Sequence, residues 1–167
     1  LVFLNNDTIV QAGWLEGLLD VFDRFPDTGI AGAKLLYPNG VLQEAGGAIF
    51  RDGSVWNIGR FEQADNPRFN HVREVDYVSG ATLAIRKKVF EHLKGFDTYF
   101  SPGYFEDTDL AMRVRAAGLK IRYTPFSNVV HQEGGTSGTH LESGMKAFQI
   151  PHQSKFLERW QSTLINN

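Results

Sequence analysis

The spacing of hydrophobic and polar positions changes several times along the chain, and each change marks an element. Leu1–Leu4 is an unbroken apolar run closed by the polar Asn5-Asn6-Asp7, which predicts a short, fully buried strand. In residues 12–25, Trp14, Leu15, Leu18, Leu19 and Phe22 recur at helical spacing until Pro26 stops the pattern. Residues 29–37, "GIAGAKLLY", read as a second strand ended by the turn around "PNG". Residues 41–50 and 53–59 read as a hairpin or a pair of edge strands around "RDG". Residues 60–73 show no period and predict a long loop of the functional or mobile kind. "VDYVSGATLAIR" then predicts two short strands hinged at Ser79–Gly80, and "KKVFEHLKGF" a short helix. Residues 105–118 predict a helix capped by Gly118. "KIRYTP" and "NVVH" predict two more strands, followed by the Gly-rich 133–140. From Leu141 the pattern is helical, interrupted at Pro151 and partly exposed. Strands and helices alternate early and short strands dominate the middle, so the fold class is α/β with a mixed sheet flanked by helices.

Composition narrows the classes. The 167 residues fit one domain, and 42% hydrophobic with 22% charged residues is ordinary for a globular chain. Seventeen basic against 19 acidic residues leave a formal charge of −2, with no footprint for a nucleic-acid partner. With no cysteine, disulfides, zinc–thiolate sites and thiol nucleophiles are excluded. No apolar run approaches the roughly 18 residues of a membrane span. The chain opens inside an apolar β-type run without an initiator Met, so we expect a piece of a longer protein.

Three carboxylates crowd the start of the helix at 105–118. At about 100° per residue, Asp107 falls on the apolar stripe of Leu110, Ala111, Val114 and Ala117. Asp109 and Arg113 fall on the opposite side with Glu106 near them, which predicts an ordinary surface pair and first-turn charges that suit the helix dipole. Asp107 should face inward, either as a cap for backbone amides or as a general base on a rigid element. Asp7, with Asn5 assisting, is either a turn-and-cap residue or a ligand for a hard divalent cation at a strand end. His131, at the end of "NVV", is either packed or a ligand. Backbone amides of residues 134–138, "GGTSG", could meet a phosphate.

In order and spacing, "FLNND", "VSGATLAIRKKVFEHLKGFD", "YFEDTDLAMRVRAAG" and "VVHQEGGTSG" resemble the GT-A glycosyltransferases of family 2, in particular bacterial rhamnosyltransferase and O-antigen-type enzymes. The resemblance runs from Leu1 to about Gly138. It implies the C-terminal portion of a GT-A domain at 1–140, a helical tail at 141–167, and missing N-terminal nucleotide-binding units. It aligns Asn5-Asn6-Asp7 with the DXD motif, with Asp7 as the metal-binding acid and Asn where the first Asp usually stands. It aligns His131 with a His that completes the metal site in many members, which implies Mn²⁺ or Mg²⁺ as cofactor. Asn6, Ser79, Gly80 and Ala81 line the donor and acceptor cleft. Glu106-Asp107 matches the ED motif, with Asp107 the catalytic base and Glu106 and Asp109 supporting it. The implied reaction is inverting transfer from a nucleotide-diphosphate sugar donor to a hydroxyl of a glycan or lipid-linked acceptor. The implied location is cytoplasmic, with peripheral association at the inner membrane face through the acceptor.

Three other classes compete. A nucleotidyltransferase would want a Gly- and Lys/Arg-rich triphosphate loop, and residues 1–167 supply none. A non-catalytic sugar- or nucleotide-binding remnant would have little need to keep Asp107. A two-metal phosphoesterase would need more converging carboxylates than Asp7 and Asp107.

Overall fold

The structure is a computed structural model, and it describes residues 1–132 and 147–165. Its centre is a seven-stranded mixed sheet among the described residues. The strands are β1 (Val2–Leu4), β2 (Thr8–Val10), β3 (Thr28–Leu36), β4 (Leu42–Glu44), β7 (Arg73–Val75), β8 (Thr82–Ile85) and β9 (Lys120–His131). Their order is β1-β8-β3-β9-β2, with β4 also on β3 and β7 also on β9. Only β3 and β9 run parallel; the other pairings are antiparallel. β5 (Gly47–Ile49) and β6 (Val55–Asn57) form the hairpin expected around "RDG".

Side chains alternate across β3, the central strand. Ile30 joins one core cluster, whereas Ala31 and Ala33 join a second on the opposite face. Helix α1 (Trp14–Arg24) covers the second face with Leu18 and Val21, and half-buried Trp14 packs beside them. Gly17 is required there, because a Cβ would run into the Phe126 carbonyl of β9. The first face is covered by α3 (Glu106–Ala116) and α4 (Gln149–Leu164), while α2 (Lys87–His92) packs at its margin. No helix among the described residues is long and apolar enough to cross a membrane.

Several expectations change. The first strand is not fully buried: Val2 and Leu4 are exposed, and only Phe3 turns inward, against Phe90 and Phe96. β1 is an edge strand with one neighbour, so half of it has nothing to pack on. The two strands expected at 120–125 and 128–131 are one, β9, whose parallel register slips so that Ala33 pairs with Thr124 but Lys34 with Asn128. Pro125, which cannot donate to a ladder, lies in the slipped segment. The loop at 60–73 is pinned: Phe69 is buried, its carbonyl accepts from Tyr123 Oη, and Lys34 Nζ donates to Ala64 O and Asn70 Oδ1. Pro151 does not interrupt α4; it lies in the first turn, where an amide has no intrahelical partner to lose. Phe156 and Leu164 of α4 are fully buried in the main core. The expected boundary at 140/141 and the "GGTSG" segment lie outside the described residues.

Candidate active site

A cleft of about 920 Å³ opens where β1 and β9 end and β8 begins. Three turns meet there. Asn5 N–H donates to Ala81 O at 3.0 Å, tying the 5–7 turn to the 79–81 turn. On the other side Thr8 pairs with His131, and Gln132 N–H donates to Asp7 O. The antiparallel β2–β9 pairing therefore brings Asp7 to His131: Asp7 Oδ1 lies 3.3 Å from His131 Nε2. Asn5 and Asn6 line the cleft from exposed positions in the same turn.

The pair fits a divalent cation. His131 Nδ1 is 2.9 Å from Gln43 Oε1, and a carboxamide oxygen only accepts, so the ring proton belongs on Nδ1. Nε2 then presents a lone pair to a carboxylate oxygen that is itself buried without a hydrogen bond. Two acceptors at 3.3 Å need a positive charge between or beside them, from a metal ion or a second ring proton. A carboxylate oxygen and an imidazole nitrogen, with the far ring nitrogen fixed by an amide, form a mixed donor pair for a divalent cation such as Mn²⁺ with further ligands from substrate, and suit the all-oxygen preference of Mg²⁺ less well. No group of three or more His, Asp or Glu that could hold a metal occurs among the described residues.

Asp107 enters from the opposite wall. Tyr104 and Phe105 both adopt left-handed backbone conformations, with φ of 70° each, and this bend starts α3 at the cleft. For residues other than Gly such geometry costs about 1–2 kcal/mol each and persists only where the surroundings enforce it. Here α4 enforces it: His152 Nδ1 lies 2.8 Å from Gly103 O, and Phe156 packs on Phe105. Asp107 Oδ2 accepts from Gly80 N–H at 2.8 Å, and Oδ1 accepts from Thr108 N–H at 2.7 Å. Burial raises its carboxyl above the ordinary range, and these amide bonds pull it partly back. Asp107 is thus inward-facing, as expected, and it both accepts amide bonds and faces the cleft.

Glu106 and Asp109 do not sit as expected. Glu106 is half-buried in the cleft wall with Oε2 unpartnered, and burial followed by the nearby Asp107 pushes it up to about 7. Asp109 is fully buried, not on the surface. It accepts from Arg113 Nε at 2.7 Å, Arg159 Nη1 at 3.0 Å and Trp160 Nε1 at 3.0 Å. The helix face predicted to meet solvent is covered by α4.

Two site residues escaped the sequence reading. Between β3 and β4, Leu35 pairs with Glu44 but Leu36 with Leu42, which leaves Gln43 as one extra residue. Such a bulge re-aims side chains, and here Gln43 and Glu44 both line the cleft. Gln43 fixes His131, and Glu44 Oε1 accepts from Ser79 N–H at 2.9 Å. Burial, then Asp107, raises Glu44 to about 8 against the opposing Ser79 bond. The one available signal was two large polar residues in an otherwise apolar strand next to "AGG".

Comparison with known proteins identifies the family and the fold. Residues 1–146 match the family model described as "Glycosyltransferase like family 2". The chain is 33% identical over 144 residues to the O-antigen biosynthesis protein RfbC of Myxococcus xanthus, covering 81% of this chain and 11% of that protein. It is 28% identical over 181 residues to the N-acetylglucosaminyl-diphospho-decaprenol L-rhamnosyltransferase of Mycobacterium tuberculosis, covering 98% of this chain and 58% of that one. A crystal structure of GalNAc-T7 with UDP, GalNAc and Mn²⁺ superposes with a TM-score of 0.67 at 15% identity, over 96% of this chain and 31% of its own length. The chain thus spans between 11% and 58% of the length of these proteins, and the structural likeness shows the fold. By sequence and by architecture, the chain belongs to the family 2-like glycosyltransferases and has a GT-A fold.

Proposed function

We propose that this chain is part of an inverting, metal-dependent glycosyltransferase of bacterial polysaccharide assembly. It moves a sugar from a nucleotide-diphosphate donor to a hydroxyl of a glycan or lipid-linked acceptor. We assign residues 1–140 to the C-terminal portion of the transferase domain and 141–167 to a helical tail. We place the enzyme in the cytoplasm, at the inner membrane face through its acceptor. The observation that carries the reading is Asp107, held by Gly80 and Thr108 amides in the wall of the cleft that also contains Asp7 and His131.

Asp107 accepts the proton of the acceptor hydroxyl as that oxygen bonds to the anomeric carbon. The bond from that carbon to the diphosphate breaks, and its electron pair leaves with the nucleoside diphosphate. The raised pKa of the buried carboxyl makes Asp107 a stronger base than an exposed aspartate. Asp7 and His131, with Asn5 beside them, would hold Mn²⁺ or Mg²⁺, which stabilises charge on the leaving group when bound. Gln43 keeps the proton of His131 on Nδ1 and its Nε2 available. Ser79, Gly80 and Ala81, with Asn6 opposite, line the space between. The M. tuberculosis relative's name supports an acceptor bearing N-acetylglucosamine, and the UDP and Mn²⁺ of the GalNAc-T7 structure support a nucleotide donor and a divalent ion.

The test uses the full-length natural protein with Mn²⁺ or Mg²⁺ and a panel of UDP-, dTDP- and GDP-sugars. Nucleotide release is followed beside Asp107→Asn. Metal-dependent release from one donor, lost in the variant, is the expected result. Nucleotide binding without release from any donor, with the acceptor supplied, would defeat the reading and leave a binding protein.

A further inference from the structure

One buried group in the cleft is only half used. Glu44 is 1% exposed, and its Oε1 is taken by Ser79 N–H. Its Oε2 is also buried, yet makes no hydrogen bond among the described residues. If Glu44 served only to hold the 79–81 turn, one oxygen would suffice, and a buried second oxygen left without a partner would be a standing cost. We propose that Glu44 Oε2 binds a hydroxyl of the acceptor sugar, beside the hydroxyl that Asp107 deprotonates. This inference rests on the transferase reading above.

The backbone argues for the acceptor side. Successive amides of one turn are divided between the two acids: Ser79 N–H goes to Glu44 and Gly80 N–H to Asp107. The carboxyl groups are therefore held as neighbours, close enough for the charge of Asp107 to raise Glu44. The bulge at Gln43 sends the preceding side chain toward His131 instead, so the metal side and the Glu44 side diverge from consecutive residues. Among the described residues, Asp107, Arg60, Tyr77 and Tyr123 are titratable groups that face Glu44. Burial favours the acid form of Glu44, in which the oxygen not held by Ser79 N–H can donate to a hydroxyl. A pyranose offers vicinal hydroxyls, one for the base and one for this acid. A site built to hydrogen-bond a particular hydroxyl discriminates strongly against the analogue that lacks it.

The experiment compares full-length wild type with Glu44→Gln, which keeps an acceptor for Ser79 and a donor for the hydroxyl, and Glu44→Met, which keeps only the volume. The probes are methyl β-N-acetylglucosaminide and its 3-, 4- and 6-deoxy analogues. Transfer kinetics are measured with Mn²⁺, and glycoside binding is read separately by saturation-transfer NMR without donor. In Glu44→Met the acceptor KM should rise about tenfold or more while the donor KM and Mn²⁺ affinity stay within about twofold, and Glu44→Gln should recover much of the loss. One deoxy analogue should cost wild type the same factor and cost Glu44→Met nothing. A rise in donor KM alone, a loss of Mn²⁺ affinity, equal losses for every analogue, or no glycoside bound by wild type would each overturn the proposal. Glu44-dependent binding without turnover would instead sink the transferase reading and leave Glu44 as a sugar ligand.

Discussion

Asp109→Asn should be among the most damaging single-atom changes in the chain. The wild-type carboxylate is fully buried and holds three donors from two helices: Arg113 at 2.7 Å, Arg159 at 3.0 Å and Trp160 at 3.0 Å. An asparagine keeps one acceptor oxygen, but its NH₂ would meet a guanidinium donor and the negative charge is gone. Removing one partner of a buried ion pair costs about 3–5 kcal/mol. Arg113 and Arg159 side chains are 18% and 31% exposed, so water compensates part of the loss. That argues for the lower end, about 3 kcal/mol, or a fall in Tm of roughly 6–12 °C for a domain of this size. Urea denaturation is the assay, with the m-value checked so that the shift can be read as stability. Arg159→Gln and the double variant complete a cycle, and the pair should couple by about 1 kcal/mol or more, because the residues touch. A loss below about 1 kcal/mol with unchanged m would refute the idea that this carboxylate ties α4 to α3.

Further expectations concern the core, the metal pair and pH. Gly17→Ala should cost about 1–3 kcal/mol, because the added Cβ meets β9 backbone that cannot step aside; a neutral melt would show that α1 can shift. Asp7→Asn and His131→Ala should each weaken Mn²⁺ binding by calorimetry about tenfold or more, and Gln43→Leu should do so less severely through the His131 tautomer. Glu44 gives stability a pH slope: between about 4.5 and about 8 the folded state keeps a proton that the unfolded chain has lost. Its contribution is complete below pH 4.5 and is lost as pH rises toward 8. Glu44→Gln should match wild type at pH 5 and be the more stable protein at pH 8; urea midpoints that run parallel across this range would contradict it. Glu106 and Asp107, also raised, leave a residual slope of the same sign.

The parts of the site legible in the sequence are those fixed by local pattern. The helical stripe turned Asp107 inward, and the end of "NVVH" located His131, because both follow from the period of a single element. Asp109 was misjudged for a reason outside that period. A helical wheel assigns one face to water, but α4, some forty residues further on, closes over that face and brings Arg159 and Trp160 to it. The edge exposure of β1 depends on which strands flank it, which a run of four apolar letters does not encode. Gln43 and Glu44 stayed hidden because their direction depends on a slip in pairing with β3, a relation between two strands.

That slip also makes chain length matter at β4. Deleting Gln43 would let Leu42 and Glu44 pair with β3 in a regular ladder, and composition would hardly change. Yet the partner of His131 would vanish and the acid beside Asp107 would swing away from Ser79. A one-residue indel here is the equivalent of two point mutations on different walls of the cleft. The length of this short strand is therefore tied to the cleft as tightly as the identities of Gln43 and Glu44 are.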